Sequence, residues 1–466
     1  MIHLSRQTLD ALPAHLRRPS YDPASLSPGI VHLGLGNFHR AHMARYTHAL
    51  IERDPRNAIW GIVGAGLLPG DKPLRDALAG QDWLYTLVER DGAGQVAQII
   101  GSLLPGVFAG EGASALLHAI DGSGIRVVSL TVTEQGYCLD PASKRLDLMH
   151  PAIARDLADP CRPHSAIGIL VEAWRRRMIA KRPAFTAFSC DNIQHNGTVL
   201  RGAVLEFAQH RDPGLADWIA GHARFPSCMV DRITPATRLA DIQRFADASG
   251  VDDAAPVFCE PFTQWIIEED FADGRPDWDA VGAQFVSDVA PYEKMKLRLL
   301  NASHLALAEL GGLLGHDHVD EAMRDPLVAR YIDALMHEET VPTLDPVPGV
   351  DLEAYMGSVR ARFANPTIYD TLARIQRDGP LNHLIDPARD RLAHGRAIDL
   401  LALAIAAWLN RRNAPALEPQ LFGALAQDNR FADPVTAWRK QLEERGAAAI
   451  LHGLAMSPPD NARLGR

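Results

Sequence analysis

Lysine, asparagine and histidine occur close together in Tyr292-Glu293-Lys294-Met295-Lys296-Leu297-Arg298-Leu299-Leu300-Asn301-Ala302-Ser303-His304. Read as an α-helix at about 100° per residue, Lys296, Asn301 and His304 fall within an arc of about 140°. Lys294 and Arg298 then point elsewhere, toward solvent or an acidic neighbour. None of the three aligned side chains forms cores, and burying them without partners is costly. A desolvated lysine gives up its proton more readily and becomes a general base. An amide can donate to a developing oxyanion, and an imidazole can orient a hydroxyl. Together these groups can take a proton from an alcohol. A helix with a solvated charged face is the plain alternative, and spacing alone leaves both readings open. A second amide, Asn192, follows the apolar run AFTAFSC at 184–190. It falls at the carboxyl edge of a predicted strand, where open α/β sheets bind ligands. A turn or cap residue is its ordinary alternative.

Gly34-Leu35-Gly36-Asn37-Phe38-His39-Arg40 follows a short β-branched run and opens a helical pattern. Such a turn can cradle a pyrophosphate: glycines allow close backbone approach, and the helix start offers free N–H groups and positive dipole. His39 stands where the third glycine of GxGxxG belongs, so the pattern by itself is weak. The next predicted strand runs on into Gly64-Ala65-Gly66-Leu67-Leu68-Pro69-Gly70-Asp71. An acid there would hydrogen-bond an adenosine ribose diol and repel a 2′-phosphate. Asp71 therefore favours NAD over NADP, although it sits beyond the usual spacing of about 20 residues. A solvated loop aspartate is the competing reading.

These candidates need elements to position them. Strands are predicted at 29–34, 59–66, 125–132 and 184–190, a hairpin at 83–89 and 95–103 around Asp91-Gly92, and a helix at 40–53. Strands alternating with helices imply a mostly parallel sheet covered on both faces. From about residue 291 onward Leu- and Ala-rich helical patterns dominate. The expected fold is α/β, with a Rossmann-like N-terminal domain at 1–287 and a mostly α-helical substrate and catalytic domain at 288–466. The tail 456–466 is expected to fray. A net charge of −10 argues against nucleic-acid binding. The apolar run at 400–409 is too short for a membrane span and suits a buried helix. Cys138, Cys161, Cys190, Cys228 and Cys259 are odd in number and scattered. They suit reduced thiols in a cytoplasmic protein, and a chain of this length has a core sufficient for a monomer.

The ordered segments GLGNFHRAH, TVTEQGYC, SCDNIQHNG, MVDRITP, EPFTQWIIEEDF and YEKMKLRLLNASH resemble the polyol-specific long-chain dehydrogenases, the mannitol 2-dehydrogenase family. The resemblance runs over 18–364. It implies a zinc-independent, NAD-dependent enzyme that interconverts a polyol and a ketose. Its Lys-x4-Asn-x2-His signature falls on Lys296 as general base, Asn301 and His304. Asn192 and Asn301 would clamp the oxyanion, His304 would hold a substrate hydroxyl, and Glu293 would relay the proton to solvent. Gly34, Gly36, Phe38, His39, Arg40 and Asp71 would serve the cofactor, with Glu134 beside the nicotinamide end. Val230, Asp231 and Arg374 would contact substrate. In one place the chain departs from the family. A substrate-binding lysine is expected shortly after Asp378-Gly379, and this chain has Pro380-Leu381-Asn382-His383 there. Without that charged donor the expectation tilts to neutral polyols, mannitol first and D-arabinitol second. Sorbitol and hexuronates such as fructuronate are the family alternatives, with Arg374 and Arg377 as carboxylate partners.

Two rivals come from other classes. His316-Asp317-His318-Val319-Asp320 offers an HxHxD spacing that could hold zinc or iron. A silent NAD-binding sensor is the other, but a sensor needs no proton acceptor.

Overall fold

The computed structural model describes residues 1–414 and 417–456. Of the tail expected to fray, all but Met456 lies outside the described residues. The chain divides into two compact units, Met1–Val289 and Ala290–Arg466.

The first unit is built on five strands: β1 (Pro28–Leu33), β2 (Gly61–Gly66), β3 (Leu103–Phe108), β4 (Val127–Leu130) and β5 (Thr186–Ser189). Their spatial order is β3-β2-β1-β4-β5 and every pairing is parallel. The order reverses between β1 and β4, and the crevice above such a switch point is where doubly wound sheets bind ligands. β2, β4 and β5 are buried along their whole length. That is why they read as largely apolar runs, broken only by small hydroxyl residues such as Ser129 and Thr186, and not as alternating ones. Side chains still alternate between faces. Val31, Leu33, Val128 and Leu130 pack with Ile167, Trp174 and Phe207 on one face. Ile30, Ile62, Val127 and Phe188 pack with Tyr46, Trp265 and Trp278 on the other.

The helix expected at 40–53 is two helices, α1 (Asn37–Ala41) and α2 (Met43–Arg53). His42 breaks the path with φ −117 and ψ −92. Its Nε2 lies 3.1 Å from the Gln264 carbonyl and its ring meets Trp265 edge-on at 5.1 Å. Tertiary contacts thus override a continuous helical pattern. The expected hairpin forms from Tyr85–Asp91 and Gly94–Ile100. A small sheet not foreseen from sequence joins β6 (Cys228–Asp231) antiparallel to β7 (Gln264–Glu268).

The second unit is helical. α3 (Ala290–Lys296) runs without interruption through a π-helical turn, Leu297–Asn301, into α4 (Ala302–Leu313). The apolar run at 400–409 is the buried core of helix α7 (Asp399–Arg411), preceded in the chain by α5 (Leu372–Asp378) and α6 (Asn382–Ala393). Among the described residues no helix is long and apolar enough to cross a membrane, and all five cysteines are free thiols.

Candidate active site

The glycine turn sits at the carboxyl end of β1, beside the switch point. Gly34 has φ +111, and a Cβ on it would lie 2.5 Å from the Thr131 carbonyl oxygen. Only glycine fits there. Around Gly36 a Cβ would meet nothing within 4 Å, so the backbone is open on that side. Arg40 N–H bonds the Gly36 carbonyl at 3.3 Å, and the amides ahead of it are the unsatisfied donors of a helix start. A glycine-lined opening at such a helix start fits a dinucleotide pyrophosphate. The rest of α1 supports the turn from behind. Arg40 is buried and donates to the Leu35 carbonyl (3.1 Å), the Ala255 carbonyl (2.5 Å) and Asn37 Oδ1 (2.6 Å). His39, in the third-glycine position, is buried and stacks on His32 at 3.5 Å with an 11° interplanar angle. Burial above all holds His39 well below the usual histidine range and pushes His32 down to about 3. Phe38 stacks on His42 at 5.0 Å.

Asp71 lies just past β2. Its Oδ2 accepts from the Leu67 and Leu68 amides at 2.9 Å each. That fixes the loop and leaves Oδ1 without a partner among the described residues. At the carboxyl end of β4, the exposed Glu134 begins a 3₁₀ turn (Glu134–Tyr137) that ends on the buried Tyr137. Asp191, between Cys190 and the exposed Asn192, organises both segments. Its carboxylate accepts from the Val132 amide (3.1 Å), the Thr133 amide (2.8 Å) and the Tyr137 hydroxyl (2.8 Å). Burial raises its pKa against those hydrogen bonds. Asp191 was not singled out from sequence, because its partners lie some 60 residues earlier. The only hint was an acid directly before the amide in SCDN. Val230 and Asp231 are buried at the end of β6.

In the second unit, Lys296 (7% exposed) closes α3, Asn301 closes the π turn and His304 (8%) lies in the first turn of α4. The π turn changes the phase assumed for a regular helix, since it spends more residues per turn. Asn301 Oδ1 is buried with no hydrogen-bond partner among the described residues. Glu293, one turn before Lys296, is also buried. The flanking cations are paired: Lys294 with Asp345 at 3.3 Å and Arg298 with Asp390 at 2.8 Å. His383, beside the exposed Asn382, is driven down to about 4 by burial and by the charges of Lys296 and Arg298. His304 stacks on Phe363 at 4.7 Å, and its Nε2 is 3.8 Å from Asp370 Oδ2. Arg374 grips the same carboxylate through Nε (2.6 Å) and Nη2 (2.5 Å). Arg377 pairs with its neighbour Asp378 at 2.8 Å and is largely exposed. Sequence reasoning missed Asp370: its pairing with Arg374, four residues on, looks like an ordinary surface ion pair, and its contact with His304 becomes visible only once the helices pack.

The HxHxD stretch disperses. His316 Nε2 lies 3.2 Å from Asp325, His318 pairs with Glu321 at 3.4 Å, and Asp320 pairs with Arg324. Among the described residues no three His, Cys, Asp or Glu side chains are grouped to hold a metal ion.

Residues 28–280 match the family profile described as the mannitol dehydrogenase Rossmann domain, and residues 288–415 match the mannitol dehydrogenase C-terminal domain. The chain belongs to the mannitol dehydrogenase family. Its relatives include a D-mannonate oxidoreductase of Escherichia coli, 46% identical over 84% of this chain and 81% of that protein. A mannitol 2-dehydrogenase of Pyricularia oryzae is 44% identical over 77% of this chain and 72% of that protein. The Pseudomonas fluorescens mannitol 2-dehydrogenase, solved as a ternary complex with NAD and D-mannitol, superposes with a TM-score of 0.89 at 38% identity. That match covers 98% of this chain and 100% of the other. Membership in the mannitol dehydrogenase family makes the chain an oxidoreductase with a Rossmann first domain and a helical second one.

Proposed function

We propose that this member of the family oxidises a secondary alcohol of a neutral polyol to a ketose, with NAD as hydride acceptor and D-mannitol as the leading substrate. The observation that carries the reading is Lys296, a lysine only 7% exposed on one continuous helical rod with Asn301 and His304. Lys296 takes the hydroxyl proton, and Glu293 passes it toward solvent. Asn301 and Asn192 donate amide hydrogens to the growing negative charge on oxygen. His304, Arg374, Asp231 and Val230 hold the remaining polyol chain. The Gly34–Gly36 turn, with Phe38, His39 and Arg40 shaping it, binds the pyrophosphate. Asp71 reads the adenosine ribose, and Glu134 lies at the nicotinamide end. When bound, NAD supplies the hydride acceptor. In this reading the first unit is the cofactor domain, and the second carries the base.

A second reading, oxidation of an aldonate, is favoured by the 46% identity to the D-mannonate oxidoreductase. Against it, Arg374 is already neutralised by Asp370, Arg377 is neutralised by Asp378, and Asn382 brings no charge. The test is NADH formation over a panel of pentitols, hexitols and aldonates. The proposal expects kcat/KM for D-mannitol or D-arabinitol to exceed that for D-mannonate. A preference for D-mannonate, or for fructuronate in reduction, would replace it with the second reading.

A further inference from the structure

Asp370 touches two side chains of the second unit that the polyol reading assigns to substrate, Arg374 and His304. It is 8% exposed, and its Oδ1 and Oδ2 accept from Arg374 Nε and Nη2 at 2.6 and 2.5 Å. Its Oδ2 is also 3.8 Å from His304 Nε2. The backbone around it is pinned. Its carbonyl accepts from Val319 N–H at 3.0 Å, and the Leu372 amide bonds the Asp317 carbonyl at 3.0 Å. Tyr369 just before it holds φ 55, a left-handed conformation that a bulky residue keeps only when its surroundings impose it. Thr371 just after it caps α5, accepting from Arg374 N–H at 3.3 Å. The backbone that carries the carboxylate is thereby fixed at the start of α5, and the two bonds from Arg374 orient the side chain.

A guanidinium has five N–H donors in a fixed fork. With one edge spent on Asp370, Arg374 keeps Nη1 and the outer hydrogen of Nη2. Its side chain is 44% exposed, so that edge is reachable. The charge, however, is already matched at hydrogen-bond distance. We propose that Asp370 determines substrate class: it turns Arg374 from a free cation into a neutral pair of donors that reads hydroxyls and gives no net attraction to a carboxylate. Asp370 acts through Arg374 and His304, and is thus a positioning and specificity-determining residue. The inference rests on the polyol reading given above and deepens it.

The test compares kcat/KM for D-mannitol and D-mannonate with NAD in the wild type, Asp370→Asn, and Asp370→Asn combined with Arg374→Gln. Asparagine keeps the shape and one acceptor but leaves Arg374 uncompensated. The expected result is a rise of about tenfold in the D-mannonate to D-mannitol ratio, the scale of one newly uncompensated charge on a half-exposed site. The double variant should return the ratio to the wild-type value, because the new attraction belongs to Arg374. A merely structural Asp370 would lower both substrates by the same factor, and an unmoved ratio overturns the inference. Should Asp370→Asn not fold, as judged by far-UV circular dichroism, Arg374→Gln alone decides. It should raise KM for D-mannitol several-fold, and an unchanged KM would overturn the inference. A wild type that already prefers D-mannonate also overturns it. A wild type that forms NADH from none of these substrates brings down the polyol reading, and the inference with it. Polyol activity with an unmoved ratio refutes the Asp370 assignment alone.

Discussion

At the scale of single residues, the cofactor turn makes the sharpest demands. At Gly34 an added Cβ would collide with backbone, the Thr131 carbonyl at 2.5 Å, and the φ of +111 strains any other residue. Gly34→Ala should therefore raise the NADH Kd at least tenfold while a polyol-independent measure of folding such as far-UV circular dichroism stays native-like. Unchanged NADH affinity would mean the turn does not carry the pyrophosphate. Asp71 makes a separate demand. With one oxygen holding the Leu67 and Leu68 amides, the other is available to a ribose diol, and the carboxylate repels a 2′-phosphate. Asp71→Ala should narrow the NAD over NADP preference in kcat/KM, and a wild type using NADP equally well would remove Asp71 from that role. Residue types of this kind stand out in a sequence because they are unlikely core material in apolar surroundings. Lys296, Asn301, His304 and the glycines were legible for that reason. Asp191 was not, since its partners Val132 and Thr133 lie nearly 60 residues earlier, and Asp370 was not, since an acid four residues before an arginine looks like an ordinary surface ion pair until the contact with His304 is seen.

At the scale of elements, the described residues of the second unit include two π-helical turns, Leu297–Asn301 and Leu335–Thr340. Neither is visible in hydrophobic periodicity, which a single widened turn shifts without erasing. The second turn has a measurable consequence. It places Glu339 (4% exposed) at the start of α7, where its two oxygens accept from Leu400 and Leu401 N–H at 2.8 Å each. Burial lifts this carboxyl from 4.5 to about 7, although the two amide bonds pull it down. In the unfolded chain the group ionises near 4.5, so between 4.5 and about 7 the folded state holds the extra proton. Stability is thus highest below the unfolded value and falls as pH rises through that window. The full penalty is on the order of 3 kcal/mol at the usual conversion of shift to energy. Glu339→Gln should flatten this slope, so that wild type loses more Tm than the variant between pH 5 and pH 7.5. Parallel Tm profiles would contradict it. The break at His42 teaches the same lesson on legibility: the pattern at 40–53 is helical throughout, and only the packing of His42 on Trp265 and Gln264 ends α1 there.

At the scale of the whole molecule, composition and alternation were enough for a parallel sheet followed by a helical part, because strands buried on both faces advertise themselves as β-branched runs. Strand order was not readable. The β3-β2-β1-β4-β5 arrangement depends on pairings that no local pattern encodes, and the β6–β7 sheet rests on short, weakly patterned strands. The ionic partners of His316, His318 and Asp320 lead to one prediction at this scale. Exhaustive chelation with EDTA should leave polyol oxidation unchanged, and activity lost with the metal and restored by zinc would move the chemistry to a metal site. In the proposed reaction a buried Lys296 drives NAD-linked polyol oxidation. The most direct test of that role is the initial rate of NADH formation from D-mannitol by wild type and Lys296→Ala, with NADH binding measured on the same samples. The expected result is steady NADH formation by the wild type and a loss of about 10²–10⁴-fold in the variant, at nearly equal NADH affinity. Near-normal turnover by Lys296→Ala would contradict it.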